Sequence, residues 1–212
     1  MIHPVLWLRR SLGVSTIRRG VWDDNPIYRQ ILGICSALAV TNLMVNTVVM
    51  DLGLIFVAAM SSFTVSLLRK VTPKRVRMMA QVLIIASYVI IVDITIKAYL
   101  PGISEALGPY VGLIITNCII MGRCEGFAAK NPPVLSLLDG LGCGIGYSLV
   151  LLLIAFFREL LGFGSLLGIP VLPESSTRWI IMVMPPGAFF MLGLVMWFFR
   201  SVQRPPGAAE GN

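Results

Sequence analysis

Four runs of this chain, at 52–68, 78–92, 141–157 and 179–199, contain no charged residue beyond their edges. Each approaches or reaches the roughly 17 to 25 apolar residues that a helix needs to cross the hydrocarbon core of a bilayer. Composition points the same way: 57% of the residues are hydrophobic and 13% charged, whereas soluble globular domains carry roughly 25% charged residues. There is too little polar surface to cover a fold in water, so the solvent is lipid. In lipid the backbone must pair its own polar groups, and uninterrupted apolar runs of this length do so as helices. The expected class is an all-α membrane protein.

Two further apolar stretches lie at 31–50 and 108–122. If both cross, the chain has six transmembrane segments and its basic residues sort by side. Fourteen fall on one side: Arg9, Arg10, Arg18, Arg19, Arg29, Arg69, Lys70, Lys74, Arg75, Arg77, Arg123, Lys130, Arg200 and Arg204. Only Lys97, Arg158 and Arg178 fall on the other. By the positive-inside rule this places both termini in the cytoplasm of a bacterial inner membrane. The net charge of +7 then reflects topology and contact with anionic membrane lipid rather than nucleic acid. The N-terminal residues 1–25 read as a cytoplasmic or interfacial segment, with Trp7 at the interface and arginines toward the headgroups. No signal peptide is expected, because Arg9 and Arg10 interrupt the first apolar residues. Residues 26–200 form the membrane domain and 201–212 a cytoplasmic tail.

The order of segments adds a constraint. The first three and the last three each open with a stretch broken by polar residues, followed by two uninterrupted ones. Two repeats of three crossings have opposite orientation, and such inverted repeats place functional groups on discontinuous helices near the bilayer midplane. The fourth segment, 108–122, is about 22 Å long as a helix against a core of roughly 30 Å, and Thr116, Asn117 and Cys118 interrupt it. In the first segment Thr41 and Asn42 interrupt an apolar run. Both are expected to be pairs of half-helices, since irregular backbone at membrane depth is tolerated where protein or a cavity surrounds it.

Each break lies near a cysteine, Cys35 and Cys118, at matching places in the two repeats. Cys124 and Cys143 complete the four. A transmembrane cysteine is ordinarily a small hydrophobe, and no CxxC pair is present. The run Gly140 to Gly146 has glycines at alternate positions, which does not match the GxGxxG dinucleotide spacing; small residues four apart allow close helix packing instead. The single histidine, His3, leaves no hydrolase-type couple of nucleophile and base.

The strings LGICSALAVT at 32–41, VGLIITNCIIMGR at 111–123, NPP at 131–133 and FRELLG at 157–162 closely resemble the D-type membrane subunits of sodium-translocating NADH:quinone oxidoreductases. The similarity runs from about residue 22 to 200, and extends to a paralogous E-type subunit of the Rnf electron-transport complexes. One departure is Cys124 within GRCEG, where the family commonly has GRAEA. The resemblance implies that Cys35 and Cys118 are half the ligands of a [2Fe-2S] cluster shared with a homologous E-type sister subunit, since such a cluster takes four thiolates. It also implies that NADH, flavins and quinone bind to other subunits, with the A, B, C and F components as further partners. The chain would be an electron conduit in a complex that exports sodium.

Acidic residues in membrane segments are functional candidates by default. Asp93, near the end of the third segment, and Asp139, just before the fifth, are weighed between ion handling and structural pairing, Asp93 with Lys97 four residues on. Glu125 and Glu159 each adjoin an arginine. A secondary transporter or channel is the competing class, because inverted repeats with broken helices serve that function too. An Rnf-type ferredoxin:NAD oxidoreductase subunit is a further alternative.

Overall fold

A computed structural model of the chain describes residues 27, 30–73, 75–99, 101–166, 169–170 and 184–202. The expected interfacial segment at 1–25, most of the loop at 168–177 and all but the start of the tail lie outside these residues. Within them the chain is helical apart from a hairpin of two-residue strands, β1 (Ser165–Leu166) and β2 (Ile169–Pro170), paired antiparallel. The helices are α1 (Ile34–Val40), α2 (Met44–Leu68), α3 (Arg77–Tyr99), α4 (Pro101–Ile115), α5 (Cys118–Arg123), α6 (Pro133–Gly162) and α7 (Pro185–Val202). A π-helical turn, Cys124–Ala128, continues α5. Among the described residues, five stretches are long and apolar enough to cross a membrane: Met44–Leu68, Arg77–Tyr99, Tyr110–Ala128, Pro133–Gly162 and Pro185–Val202.

Two segment boundaries differ from expectation. A break is present at 41–43, but the helix that restarts at Met44 runs on to Leu68 with no boundary between Met50 and Leu52. Asp51, which separates two apolar runs in the sequence, sits in the first half of a 25-residue helix and points inward, 3% exposed. Likewise α6 starts at Pro133, ahead of the charge-free run, and takes Asp139 into its buried face. Pro132 and Pro133 suit this start, because proline at the first helical position lacks only an N–H that would have no partner there.

The surface of the bundle is apolar like its core, and the core takes in polar side chains as well. Leu52, Leu83, Phe190 and Trp197 face outward, while Ser61, Ser62, Ser66, Gln81, Asn117 and Ser136 are buried. Lipid tails are as apolar as leucine, so the apolar exterior costs nothing, and buried hydroxyls and amides supply interhelical hydrogen bonds. The most extensive contact joins α2 to α6, and the glycines of the 140–146 run permit it. A Cβ on Gly140 would lie 2.7 Å from the Ala58 carbonyl oxygen, and one on Gly144 3.2 Å from Ile55 Cα.

Polar clasps close both ends of this pair. At one end Ser66 Oγ donates to the Asn131 carbonyl (2.5 Å) and Arg69 to that of Lys130 (3.0 Å). There Glu125, on the π turn, accepts from Arg77 (3.2 Å) and from Gln81 Nε2 (2.8 Å). The loop after α2, with Arg69, and the π turn with the 129–131 segment after it therefore lie together with the start of α3. At the other end Arg158 and Glu159, both buried in the last turns of α6, hold the 41–43 turn. Arg158 Nη1 donates to Thr41 Oγ1 (2.6 Å), which donates in turn to the Ala37 carbonyl (2.6 Å). The Met44 N–H donates to Glu159 Oε2 (2.7 Å).

Leu43, the N-cap of α2, offers no side-chain cap, so a carboxylate from another helix satisfies one of the N–H groups that every helix start leaves open. The placement of Arg158 in an outer loop is thus corrected: its partner in the turn after α1 draws it into the bundle. Glu159→Ala is expected to lower the stability of the purified protein by about 1–3 kcal/mol. Glu159→Gln, which keeps an acceptor oxygen, should cost less; thermal unfolding in detergent checks both.

Candidate metal centre

Cys35 is the second residue of α1 and Cys118 the first of α5. Both follow a break in the backbone, at 31–33 and at 116–117, so each thiol stands at the start of a short helix. The two starts touch. The Gly33 N–H donates to Cys118 Sγ at 3.0 Å, across 85 residues of sequence, and Cys35 lies two residues beyond that glycine. Both thiols are exposed, whereas Cys124 and Cys143 are buried. Cys124 faces Ser61, with Sγ 3.8 Å from Oγ.

The backbone at the first break has a strained geometry. Ile31 has φ 56 and Gly33 φ 79. A β-branched residue with positive φ is a true outlier, of the kind that collects at functional sites. Gly33 has no alternative on two counts: its φ lies in the left-handed region, and a Cβ there would be 2.4 Å from Ile119 Cδ1 and 2.8 Å from Tyr147 Cε2.

A buried relay of hydroxyls fixes the two starts to each other and to α6. Asn117 caps α5, its Oδ1 accepting from the Ile119 N–H (3.0 Å), and its Nδ2 donates to Ser36 Oγ (3.2 Å). Ser36 Oγ and Tyr147 OH are 2.5 Å apart, and Tyr147 OH donates to the Gly33 carbonyl (2.9 Å). With Ser36 as donor to Tyr147, the chain Asn117, Ser36, Tyr147, Gly33 runs in one direction with an acceptor at each step. Such satisfied buried networks rigidify what they join. Gly33 is consequently held at both faces, its carbonyl by Tyr147 and its N–H by Cys118.

A family model described as "Rnf-Nqr subunit, membrane protein" matches residues 14–196. The chain belongs to the Rnf-Nqr family of membrane subunits. Among its curated relatives is the D subunit of a Na(+)-translocating NADH-quinone reductase from Pseudomonas paraeruginosa (strain DSM 24068 / PA7), 48% identical over 186 residues that cover 85% of this chain and 83% of the relative.

This Rnf-Nqr protein presents two exposed thiols, and among the described residues no group of three or more His, Cys, Asp or Glu gathers. Two exposed sulfurs at adjoining helix starts, one already receiving a backbone N–H, suit half of a thiolate-held iron–sulfur group, whose sulfurs are tuned by such donors.

The acidic candidates stand apart from the cysteines in their bonding. Asp139 is held by Arg123, whose Nε donates to Oδ2 at 2.9 Å and whose Nη2 meets Oδ1. Arg123 also lies over the Phe127 ring, 5.6 Å from its centroid. A bidentate pair of this kind is the strongest form of charge-assisted bond. Asp93 pairs with Lys97 one turn on, at 2.6 Å, on a more exposed part of α3. Ser36 and Tyr147, which hold the centre, do not stand out in the sequence, because they are 111 residues apart. The available signal is position: Tyr147 immediately follows the glycine run that lets α6 approach.

Proposed function

We propose that this chain is the D-type membrane subunit of a Na+-translocating NADH:quinone oxidoreductase, and that it carries electrons across a bacterial inner membrane at a centre shared with a sister subunit. The observation that carries the reading is the meeting of two helix breaks that bear the exposed thiols Cys35 and Cys118. Membership of the Rnf-Nqr family and the likeness to a D subunit of this reductase favour it over a transporter or channel, and favour the quinone-reductase branch over the Rnf branch. An iron–sulfur group, here of the [2Fe-2S] kind, supplies one-electron transfer when bound. Cys35 and Cys118 would be its two thiolate ligands from this side, with the other two from the homologous E-type subunit. The Gly33 N–H lends a donor to one sulfur, and the network of Asn117, Ser36 and Tyr147 keeps the two helix starts in register.

The remaining architecture follows the same reading. The six crossings form two inverted repeats: each has a short helix that begins at or beside a cysteine after a break (α1, α5), then a long helix (α2, α6), then a third (α3, α7). Residues 26–200 are the membrane domain, with the basic loops around Arg69 to Arg77 and Arg123 to Lys130 in the cytoplasm beside both termini. NADH, flavin and quinone bind on other subunits. Any part that Asp93 and Asp139 take in an ion path requires them to exchange their present lysine and arginine partners.

The test is chemical analysis of the purified complex. Cys35→Ser and Cys118→Ser should each remove the iron and acid-labile sulfide of one cluster, with quinone reduction by NADH falling to background. Cys124→Ser and Cys143→Ser should leave both unchanged. Equal iron in all four variants would return Cys35 and Cys118 to packing residues and leave the transporter reading ahead.

A further inference from the structure

Asp51 has no part in the cysteine centre, and its burial calls for a different explanation. It is 3% exposed within α2, a membrane-crossing helix, and neither carboxylate oxygen has a hydrogen-bond partner among the described residues. The Ser148 hydroxyl of α6 faces it. Ser148 is itself buried, 6% exposed, and its Oγ likewise makes no hydrogen bond among the described residues. Buried polar atoms are nearly always paired, so each exception calls for a ligand or a role. Here the three side-chain oxygens of Asp51 and Ser148, on the two most closely packed helices, have no partner at hydrogen-bond distance among the described residues. Asp139 and Asp93 differ in having cations, Arg123 and Lys97.

The buried residues of α2 beside Asp51 include Thr47, Met50, Gly53 and Leu54, and Ile55, one turn on, lies against Gly144 of α6. Tyr147, the neighbour of Ser148 on α6, has its hydroxyl committed to Ser36 and the Gly33 carbonyl. A carboxylate does not stay ionised and alone in such a place; it takes up one positive charge or is excluded from the membrane.

We propose that Asp51, with Ser148, is an intramembrane binding site for a single monovalent cation, a proton or a sodium ion. As a proton site the carboxyl O–H donates to Ser148 Oγ. As a sodium site the carboxylate and the hydroxyl are three ligand atoms of a shell completed by backbone carbonyls or water. The site stands independently of the cysteine centre, yet Tyr147 links the two. It adjoins Ser148 on α6, and its hydroxyl belongs to the network of the cysteines.

The experiment is labelling with dicyclohexylcarbodiimide, a lipid-soluble reagent that attacks protonated carboxyls, on the purified complex, with the adduct located by mass spectrometry. A proton site predicts an Asp51 adduct that disappears as pH rises and ignores sodium at constant ionic strength. A sodium site predicts an adduct suppressed by sodium and not by choline. Asp51→Asn, isosteric with the neutral acid, should assemble normally and abolish the adduct. An Asp51 adduct insensitive to both pH and sodium overturns the proposal. So does absence of any adduct when the infrared carboxyl bands of the wild type and Asp51→Asn respond identically to alkali and to sodium.

Discussion

Replacing Gly33 with alanine is expected to empty the cysteine centre almost as completely as removing a cysteine. The left-handed backbone at this position (φ 79) costs an L-residue about 1–2 kcal/mol. The added methyl carbon would lie 2.4 Å from Ile119 and 2.8 Å from Tyr147, and overpacking of this sort costs about 1–3 kcal/mol more. The Ile119 methyl can turn aside, but the Tyr147 ring is tethered through its hydroxyl, so relief moves the first turn of α1 away from α6. That movement breaks the bond from the Gly33 N–H to Cys118 and the bond its carbonyl accepts from Tyr147, and it displaces Cys35. Iron content of the purified complex should fall to that of Cys118→Ser, while assembly suffers less, since the α2–α6 contact is untouched. Normal iron in Gly33→Ala would mean that the contact between the two breaks is not what sets the thiol positions.

A larger effect on assembly is expected at Gly140. A Cβ at this residue would stand 2.7 Å from the Ala58 carbonyl oxygen and 3.1 Å from Ala59 Cα. These are backbone atoms that no rotamer change can move aside. Gly140→Val must therefore push α6 off α2 and open the principal contact of the bundle, and in lipid no hydrophobic force compensates for lost van der Waals packing. Destabilisation by several times the about 1–3 kcal/mol of ordinary overpacking should prevent the chain from accumulating in membranes. Gly144→Ala, where the nearest atom is at 3.2 Å, should be milder, and Gly126→Ala, where the space is open, should be silent. Immunoblotting of membranes orders the three; equal abundance of all would remove the close α2–α6 approach as a determinant of the fold.

Much of this arrangement is legible in one dimension. The charge-free run at 78–92 lies within α3 and that at 141–157 within α6. The break at 116–117 follows from two polar residues inside the run at 108–122, although the crossing stretch continues past Arg123 to Ala128. What the sequence conceals is the destination of its charges. Asp51, Asp139, Arg158 and Glu159 read as boundaries, because a charge in hydrocarbon is costly. In the bundle, Asp139, Arg158 and Glu159 are buried and bonded to Arg123, Thr41 and the Met44 N–H. For Arg158 and Glu159 those partners lie 115 or more residues away, and no local window of sequence contains both members. Asp51 is the instructive remainder, a charge that crosses the boundary rule without a cation to meet it among the described residues.

The cysteines illustrate the same division. In the sequence it is the expected repeat that singles out Cys35 and Cys118, while exposure on the surface and the contact through Gly33 arise only from the fold. Tyr147 has no motif at all. It matters because glycines before it bring α6 close enough for its hydroxyl to reach the Gly33 carbonyl and Ser36.

Whether Cys35 and Cys118 hold half of a redox centre is tested most directly by an electron paramagnetic resonance spectrum of the NADH-reduced complex, recorded for wild type, Cys35→Ser, Cys118→Ser and Cys143→Ser. The expected result is an iron–sulfur signal that is present in the wild type and in Cys143→Ser and missing from the other two, with all four complexes assembled. A signal that survives in Cys35→Ser and Cys118→Ser would contradict the assignment.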